Sequence, residues 1–164
     1  MDVFYEQFVG RKDDKFYNFV KLSAYAAGII ALGFFSIAKI AGFVLFIIIA
    51  GVIFIVKRKL YAEYEYAFTN GEIDIDKITD KSNRKTVSNF HIRDIEVMAE
   101  KDSGIIKNSD FKYDKELNFY NKNNSNAVYS ILLIYSGEKL KINFVPDKKF
   151  LELCFLMNNK KVII

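Results

Sequence analysis

Glu72, Asp74 and Asp76 occupy every second position of Glu72-Ile73-Asp74-Ile75-Asp76. In an extended chain that spacing places three carboxylates on one face. A row of carboxylates is donor chemistry for a hard cation such as Ca²⁺ or Mg²⁺. Such an ion ordinarily draws ligands from more than one segment, and the same spacing describes a solvated strand face, which is the reading expected here. His91 is the one histidine of the chain. A general acid–base histidine works with an orienting carboxylate and a nucleophile within reach. Asp94 is near in sequence, but no serine or cysteine motif accompanies it, so His91 is expected at a strand edge without a catalytic role. Cys154, the one cysteine, allows no intrachain disulfide and no cysteine metal cluster. No glycine loop suited to cradling phosphate is present. The residues predict a non-enzyme with no cofactor, in which Glu72, Asp74, Asp76 and His91 are the only polar group with any claim to chemistry.

The elements that would position this group follow an apolar stretch. Leu22 to Val56 contains 35 residues and a single charge, Lys39. As one helix it would be about 52 Å long at ~1.5 Å per residue, against a hydrocarbon core of about 30 Å. Two short spans fit better than one. The first is expected from Phe16 to about Phe35 and the second from about Ile40 to Val56, with Ser36 and Lys39 in the hairpin turn. Lys21 and the run Lys57-Arg58-Lys59 are expected at the lipid headgroups, with Tyr61 as an aromatic interface anchor. Ala24, Ala27, Gly28 and Gly33 on the first helix, and Gly42, Ala50 and Gly51 on the second, would allow close packing. Arg11, Lys12 and Lys15 precede the spans and three basic residues follow them. The positive-inside rule then puts both termini in the cytoplasm of a multi-pass inner-membrane protein. The alternative is one tilted span with a re-entrant segment. The acidic start of the chain and the position of Ala24-Tyr25-Ala26 at the head of the apolar core argue against a cleaved signal.

Three regions are therefore expected: an arm over residues 1–15, either a short amphipathic helix on Val3, Phe4, Phe8 and Val9 or a frayed end; a hairpin over 16–59; and a β domain over 60–164. In that domain Tyr64, Tyr66 and Phe68 alternate with Glu63, Glu65 and Ala67, and Asn70-Gly71 is the pair best suited to a two-residue hairpin turn. Thr86 to Met98 supplies one or two further strands around an Arg93-Asp94 turn. Residues 100–126 read as the least ordered part, either functional or mobile. Val128 to Tyr135 and Lys139 to Val145 form strands joined at Ser136-Gly137. Pro146 stops the last strand, and Asp147 caps a helix over about 147–158. Phe150, Leu151, Leu153, Cys154 and Met157 are its expected buried side.

Charge is distributed unevenly. Before residue 60 there are eight lysines and arginines against four acids, and from residue 60 onward sixteen of each. The net charge of +4 belongs to the apolar end. A neutral domain argues against nucleic acid, and the basic excess suits phospholipid headgroups. The abundance of Lys over Arg, with many Ile, Asn, Tyr and Phe residues, suits a low-GC bacterium.

The segments Tyr64 to Asp76 (YEYAFTNGEIDID), Phe90 to Ala99 (FHIRDIEVMA) and Asn143 to Leu156 (NFVPDKKFLELCFL) resemble the plan of pleckstrin-homology-like domains. The chain is similar to small bacterial membrane proteins that carry such a domain after a two-helix hairpin. The resemblance implies an α+β membrane protein: a transmembrane α-hairpin, then an antiparallel β-barrel or sandwich of up to seven strands, plugged by a C-terminal helix. It implies a place and a shape and no activity. Eukaryotic members often bind phosphoinositides through a basic loop between the first two strands. Thr69-Asn70-Gly71-Glu72 has no basic residue, so phosphoinositide binding is not expected. The expected role is a membrane-anchored, non-catalytic interaction module, integral to the lipid bilayer and presenting its domain to a protein partner or to itself. The alternatives are a transport or envelope subunit acting through its hairpin, and a small-ligand binder or enzyme at the membrane surface.

Overall fold

The computed structural model describes residues 2–10, 15–37, 39–60, 62–79, 83–121 and 127–164. The chain opens with a strand, β1 (Phe4–Val9), and continues into two apolar helices, α1 (Lys15–Ser36) and α2 (Ile40–Leu60). Four strands follow: β2 (Ala62–Thr69), β3 (Glu72–Thr79), β4 (Asn83–His91) and β5 (Ile95–Glu100). After the one-turn helix α3 (Gly104–Lys107) come β6 (Lys115–Asn118), β7 (Tyr129–Tyr135), β8 (Glu138–Phe144) and the closing helix α4 (Lys148–Met157). One compact unit is built from Met1–Gly10, Glu63–Ile78 and Asn83–Ile164; the other comprises Arg11–Ala62 and Thr79–Ser82.

The β unit has two four-stranded sheets, ordered β1-β2-β3-β4 and β5-β7-β8-β6. Local chemistry sets their turns. Asn70 and Gly71 both have positive φ, 51° and 99°, and Ser136 and Gly137 repeat the pattern at 49° and 84°. Positive φ at both central residues gives a turn whose twist matches that of the flanking strands. Side chains then alternate: Tyr64, Tyr66, Phe68, Ile73 and Ile75 point inward and are buried. From the second sheet Ile131, Leu133, Ile142 and Phe144 meet them in one core. α4 closes this core. The Asp147 carboxylate accepts from the Phe150 N–H at 2.8 Å, an N-cap that satisfies one of the helix's open donors. Phe150 and Cys154 are fully buried on its inner side, while Leu151, Leu153 and Met157 pack at the rim of the core.

Three expectations are corrected. Residues 4–9 form a strand, not an amphipathic helix or a frayed arm. β1 pairs antiparallel with β2, Phe4 opposite Thr69 and Val9 opposite Tyr64. Tyr5, Gln7 and Val9 turn inward while Phe4, Glu6 and Phe8 turn out, so the period is two, and the first ten residues belong to the β unit. Second, among the described residues seven strands follow the helices, as expected, and β1 adds an eighth, but they are not all antiparallel, since β6 runs parallel to β8. Third, residues 101–114 are a strap over the outer face of the second sheet, and the segment then enters that sheet as β6. Ile106 and Phe111 pack there on Ala99 and Leu132, which anchors a stretch whose polar composition reads as loose. Residues 122–126 lie outside the described residues.

Candidate functional site

The two apolar helices are joined by Ile37-Ala38-Lys39. The Ser36 hydroxyl donates to the Leu32 carbonyl at 3.0 Å. The Lys39 N–H donates to the Phe34 carbonyl at 3.0 Å, and its own carbonyl accepts from the Phe43 N–H. Next to this turn the rings of Phe34 and Phe46 stack at 5.5 Å and those of Phe35 and Phe43 meet at 5.3 Å. Gly42 lies under the Phe34 ring, where an added Cβ would be 2.4 Å from a ring carbon. Ala27 and Ala31 are buried. Gly28, Gly33 and Gly51 have no neighbour at a Cβ position, so of the glycines expected at the helix contact only Gly42 is used. Both helices are long and apolar enough to cross a membrane, and no residue of Ile40–Lys57 is buried.

Lys21 and Lys57 line one groove between the helices, with Ala24, Tyr25, Ala50, Gly51 and Phe54, enclosing about 290 Å³. The Lys57 ammonium lies 5.1 Å from the centroid of the Phe54 ring and 5.9 Å from that of Tyr17. The side chains of Arg58 and Lys59, and the whole of Tyr61, lie outside the described residues.

Two carboxylates of the acidic row of β3 contact neighbouring side chains, while Asp76 Oδ1 is buried without a hydrogen-bond partner among the described residues. Asp74 accepts from the Asn89 amide at 2.5 Å. Arg84 forms an ion pair with Glu65, and its Nε lies 3.6 Å from Asp76 Oδ2. Glu72 is exposed at the strand end. Among the described residues no group of three or more His, Cys, Asp or Glu side chains could hold a metal ion. His91, two positions beyond Asn89 on β4, stands at the Glu72 end of this row. Its Nδ1 accepts the Arg93 N–H at 3.1 Å, and its ring covers Gly71. A Cβ on Gly71 would sit 2.9 Å from the ring while also occupying a φ of +99°. Gly71→Ala should therefore cost about 1–3 kcal/mol, read as a lower urea midpoint. Adding His91→Ala should recover the steric part alone.

The second sheet carries a polar network that single-segment reading missed. Ser130 and Asn143 are fully buried on β7 and β8. The Ser130 hydroxyl donates to Asn143 Oδ1 at 2.5 Å. The Asn143 amide donates to Glu116 Oε1 at 2.6 Å and to Asn118 Oδ1 at 2.8 Å. Lys141 and Lys101 approach Glu116 at 3.6 and 3.8 Å. Desolvation works to raise the Glu116 carboxyl, but the Asn143 hydrogen bond and the two lysines together hold it below its ordinary value. The signal lay in buried polar positions on three strands distant in sequence. Lys141 and Lys139 also cover the Tyr113 and Phe111 rings of the strap at 5.1 and 5.7 Å.

Cys154 is a packing residue. Burial pushes its thiol up to about 12, which leaves almost no thiolate at neutral pH. A maleimide should label it only as fast as the domain opens, and at an ordinary thiol rate once urea has unfolded it.

The remaining surface of note is the edge strand β1. Phe4 and Phe8 are 62 % and 58 % exposed on its outer side. Its inner side is fastened to the start of α4: the Tyr5 hydroxyl donates to Asp147 Oδ2 at 2.6 Å, the Gln7 amide donates to the Val145 carbonyl, and the Asp147 N–H donates to Gln7 Oε1. At the far end Val3 and Asn70 exchange two hydrogen bonds. The opposite sheet has its β5 edge covered, since Met98 bonds to the Lys161 carbonyl and the Ile163 N–H.

Two sheets around one aromatic core, closed by a capped C-terminal helix and preceded by an apolar helix pair, define an α+β protein with a pleckstrin-homology-like domain. The chain belongs to the family described as Bacterial PH-like domain (DUF6106), which it matches over residues 1–164. No curated protein and no solved structure matches it.

Proposed function

We propose that this protein is a membrane-anchored, non-catalytic interaction module whose helix pair crosses the cytoplasmic membrane twice and whose β unit meets a protein partner, or a second copy, in the cytoplasm. The observation that carries the reading is the apolar surface of α1 and α2. Leu22, Ile29, Leu32, Ile40, Ile48 and Ile55 are all more than half exposed, far beyond what a protein in water leaves uncovered. Lipid is the solvent in which that surface is stable.

The pairing of β1 with β2 supports a double crossing. One strand precedes the helix pair and the other follows it, an arrangement that fits a pair whose two ends open on the same side of the bilayer. A single crossing would separate them. The non-catalytic part rests on the engagement of Asp74, Asp76 and His91 with neighbouring groups. For the partner, β1 has a backbone edge with no paired strand among the described residues and two aromatic rings beside it, a combination that accepts an added strand.

The test is crosslinking in native membranes from photoreactive residues placed at Phe4 and Phe8. A single recurrent adduct, with another protein or with a second copy, is expected. No adduct from either position, with the protein intact in the membrane, overturns the interaction surface. A second reading, a subunit that acts through its hairpin, is favoured by the open space beside Gly28, Gly33 and Gly51, where a further helix could approach closely. Adducts formed from those three positions instead would select it.

A further inference from the structure

The groove between α1 and α2 brings two lysines together with small and aromatic residues. Its floor is Ala24, Ala50 and Gly51, its walls are Tyr25 and Phe54, and Lys21 and Lys57 belong to its lining. Neither helix contains a single Asp or Glu, and among the described residues no carboxylate pairs with either lysine. A second hollow of about 260 Å³ continues along α1 beside Asn18, Lys21, Leu22 and Tyr25. Two cations therefore share one apolar depression, with no counter-charge among the described residues. Lys21 lies four residues inside the span Tyr17–Ser36, about 6 Å along the axis at ~1.5 Å per residue, so its ammonium has to reach back toward the headgroups.

We propose that this groove is a binding site for one anionic glycerophospholipid, with its phosphate between Lys21 and Lys57 and an acyl chain over Ala24, Ala50 and Gly51. The proposal rests on reading the helix pair as membrane-embedded. Charge complementarity selects the occupant. Phosphatidylglycerol carries a net negative charge for the two ammonium groups, whereas the choline of phosphatidylcholine sets a third cation against them. The small floor residues leave room for a methylene chain, which a free phosphate ion would not fill. Headgroup attraction contributes on the order of 1 kcal/mol per lysine near the surface, so the two together correspond to about thirtyfold in affinity.

The experiment uses the full chain, purified in a neutral detergent, delipidated and titrated with phosphatidylglycerol or phosphatidylcholine under native mass spectrometry. One phosphatidylglycerol should be retained in preference to phosphatidylcholine by about thirtyfold. Lys21→Gln/Lys57→Gln should abolish the preference, and Lys21→Arg/Lys57→Arg should keep it. Gly51→Leu, which fills the floor and leaves both charges, should weaken retention of phosphatidylglycerol. Equal retention of the two lipids by the native chain, or an unchanged preference in the glutamine variant, overturns the site. Competition by inorganic phosphate at equal concentration also overturns it, since the ligand would then be an ion. Extraction of the protein from native membranes by alkaline carbonate is a separate reading: release of the chain refutes the membrane-embedded hairpin, whereas retention of the chain without lipid preference refutes only the groove.

Discussion

Phe150→Ala should cost the β unit about 3–5 kcal/mol, more than any other single truncation in the domain. Phe150 is fully buried at the end of the core. Its ring meets Phe68 at 5.9 Å, Phe144 at 6.0 Å, Tyr66 at 6.2 Å and Tyr5 at 6.4 Å between centroids. These contacts come from both sheets and from β1, so the cavity left by alanine cannot be closed by one neighbour moving. Small domains are stable by roughly 5–15 kcal/mol, and the variant should lie near the lower limit of a folded population. Phe150→Leu keeps most of the volume and should cost less than half as much. Urea denaturation of detergent-solubilised protein, followed by tyrosine fluorescence, separates the two. Equal losses would mean that α4 is held by its cap and not by this ring.

Asn143→Leu should be the second large effect, about 2–4 kcal/mol. The leucine fits the volume but leaves the Ser130 hydroxyl and one Glu116 oxygen without the partner they have in the native fold, in a place without exposure for Ser130. A buried group stripped of its hydrogen bond bears its full desolvation cost. The double variant Asn143→Leu/Ser130→Ala removes both ends of one bond and should recover part of the loss, a coupling that two independent surface effects would not show. Glu116 adds a pH signature. Its carboxyl is held below the ordinary 4.5 in the fold, so its contribution is present above about pH 4.5 and is lost as pH falls through the lower folded value. Native protein should lose stability through this group as pH falls below the ordinary 4.5, and Glu116→Gln should flatten that part of the curve.

The two-residue turns, the inward alternation of β2 and β3, and the Pro146-Asp147 start of α4 were legible because each is decided within a few residues by backbone geometry or a single cap. The length of the Leu22–Val56 stretch likewise requires no partner to interpret. β1 was not legible. FYEQFV is too short to distinguish a strand from one side of a helix, and what decides between them is a strand that begins more than fifty residues later. The polar network failed for a related reason: Ser130, Asn143 and Glu116 look like ordinary strand residues until three strands align. The acidic row was legible as a face, and its partners Asn89 and Arg84 were not, because the pairing of β4 with β3 is not written in either strand alone.

The placement of β1 also has a consequence for the order of events during synthesis. Val3 and Asn70, which exchange hydrogen bonds, are 67 residues apart in the chain. β1 leaves the ribosome before the apolar stretch and must wait for β2 while that stretch is made. Closing a loop of that length costs entropy that grows with its size. Folding α1 back along α2 brings residues 15 and 60 together before β2 exists, which shortens the effective loop to a few residues. Formation of the helix hairpin would then precede completion of the sheet, and a chain whose hairpin fails to form would expose β1 as an orphan edge, open to pairing with whatever strand it meets.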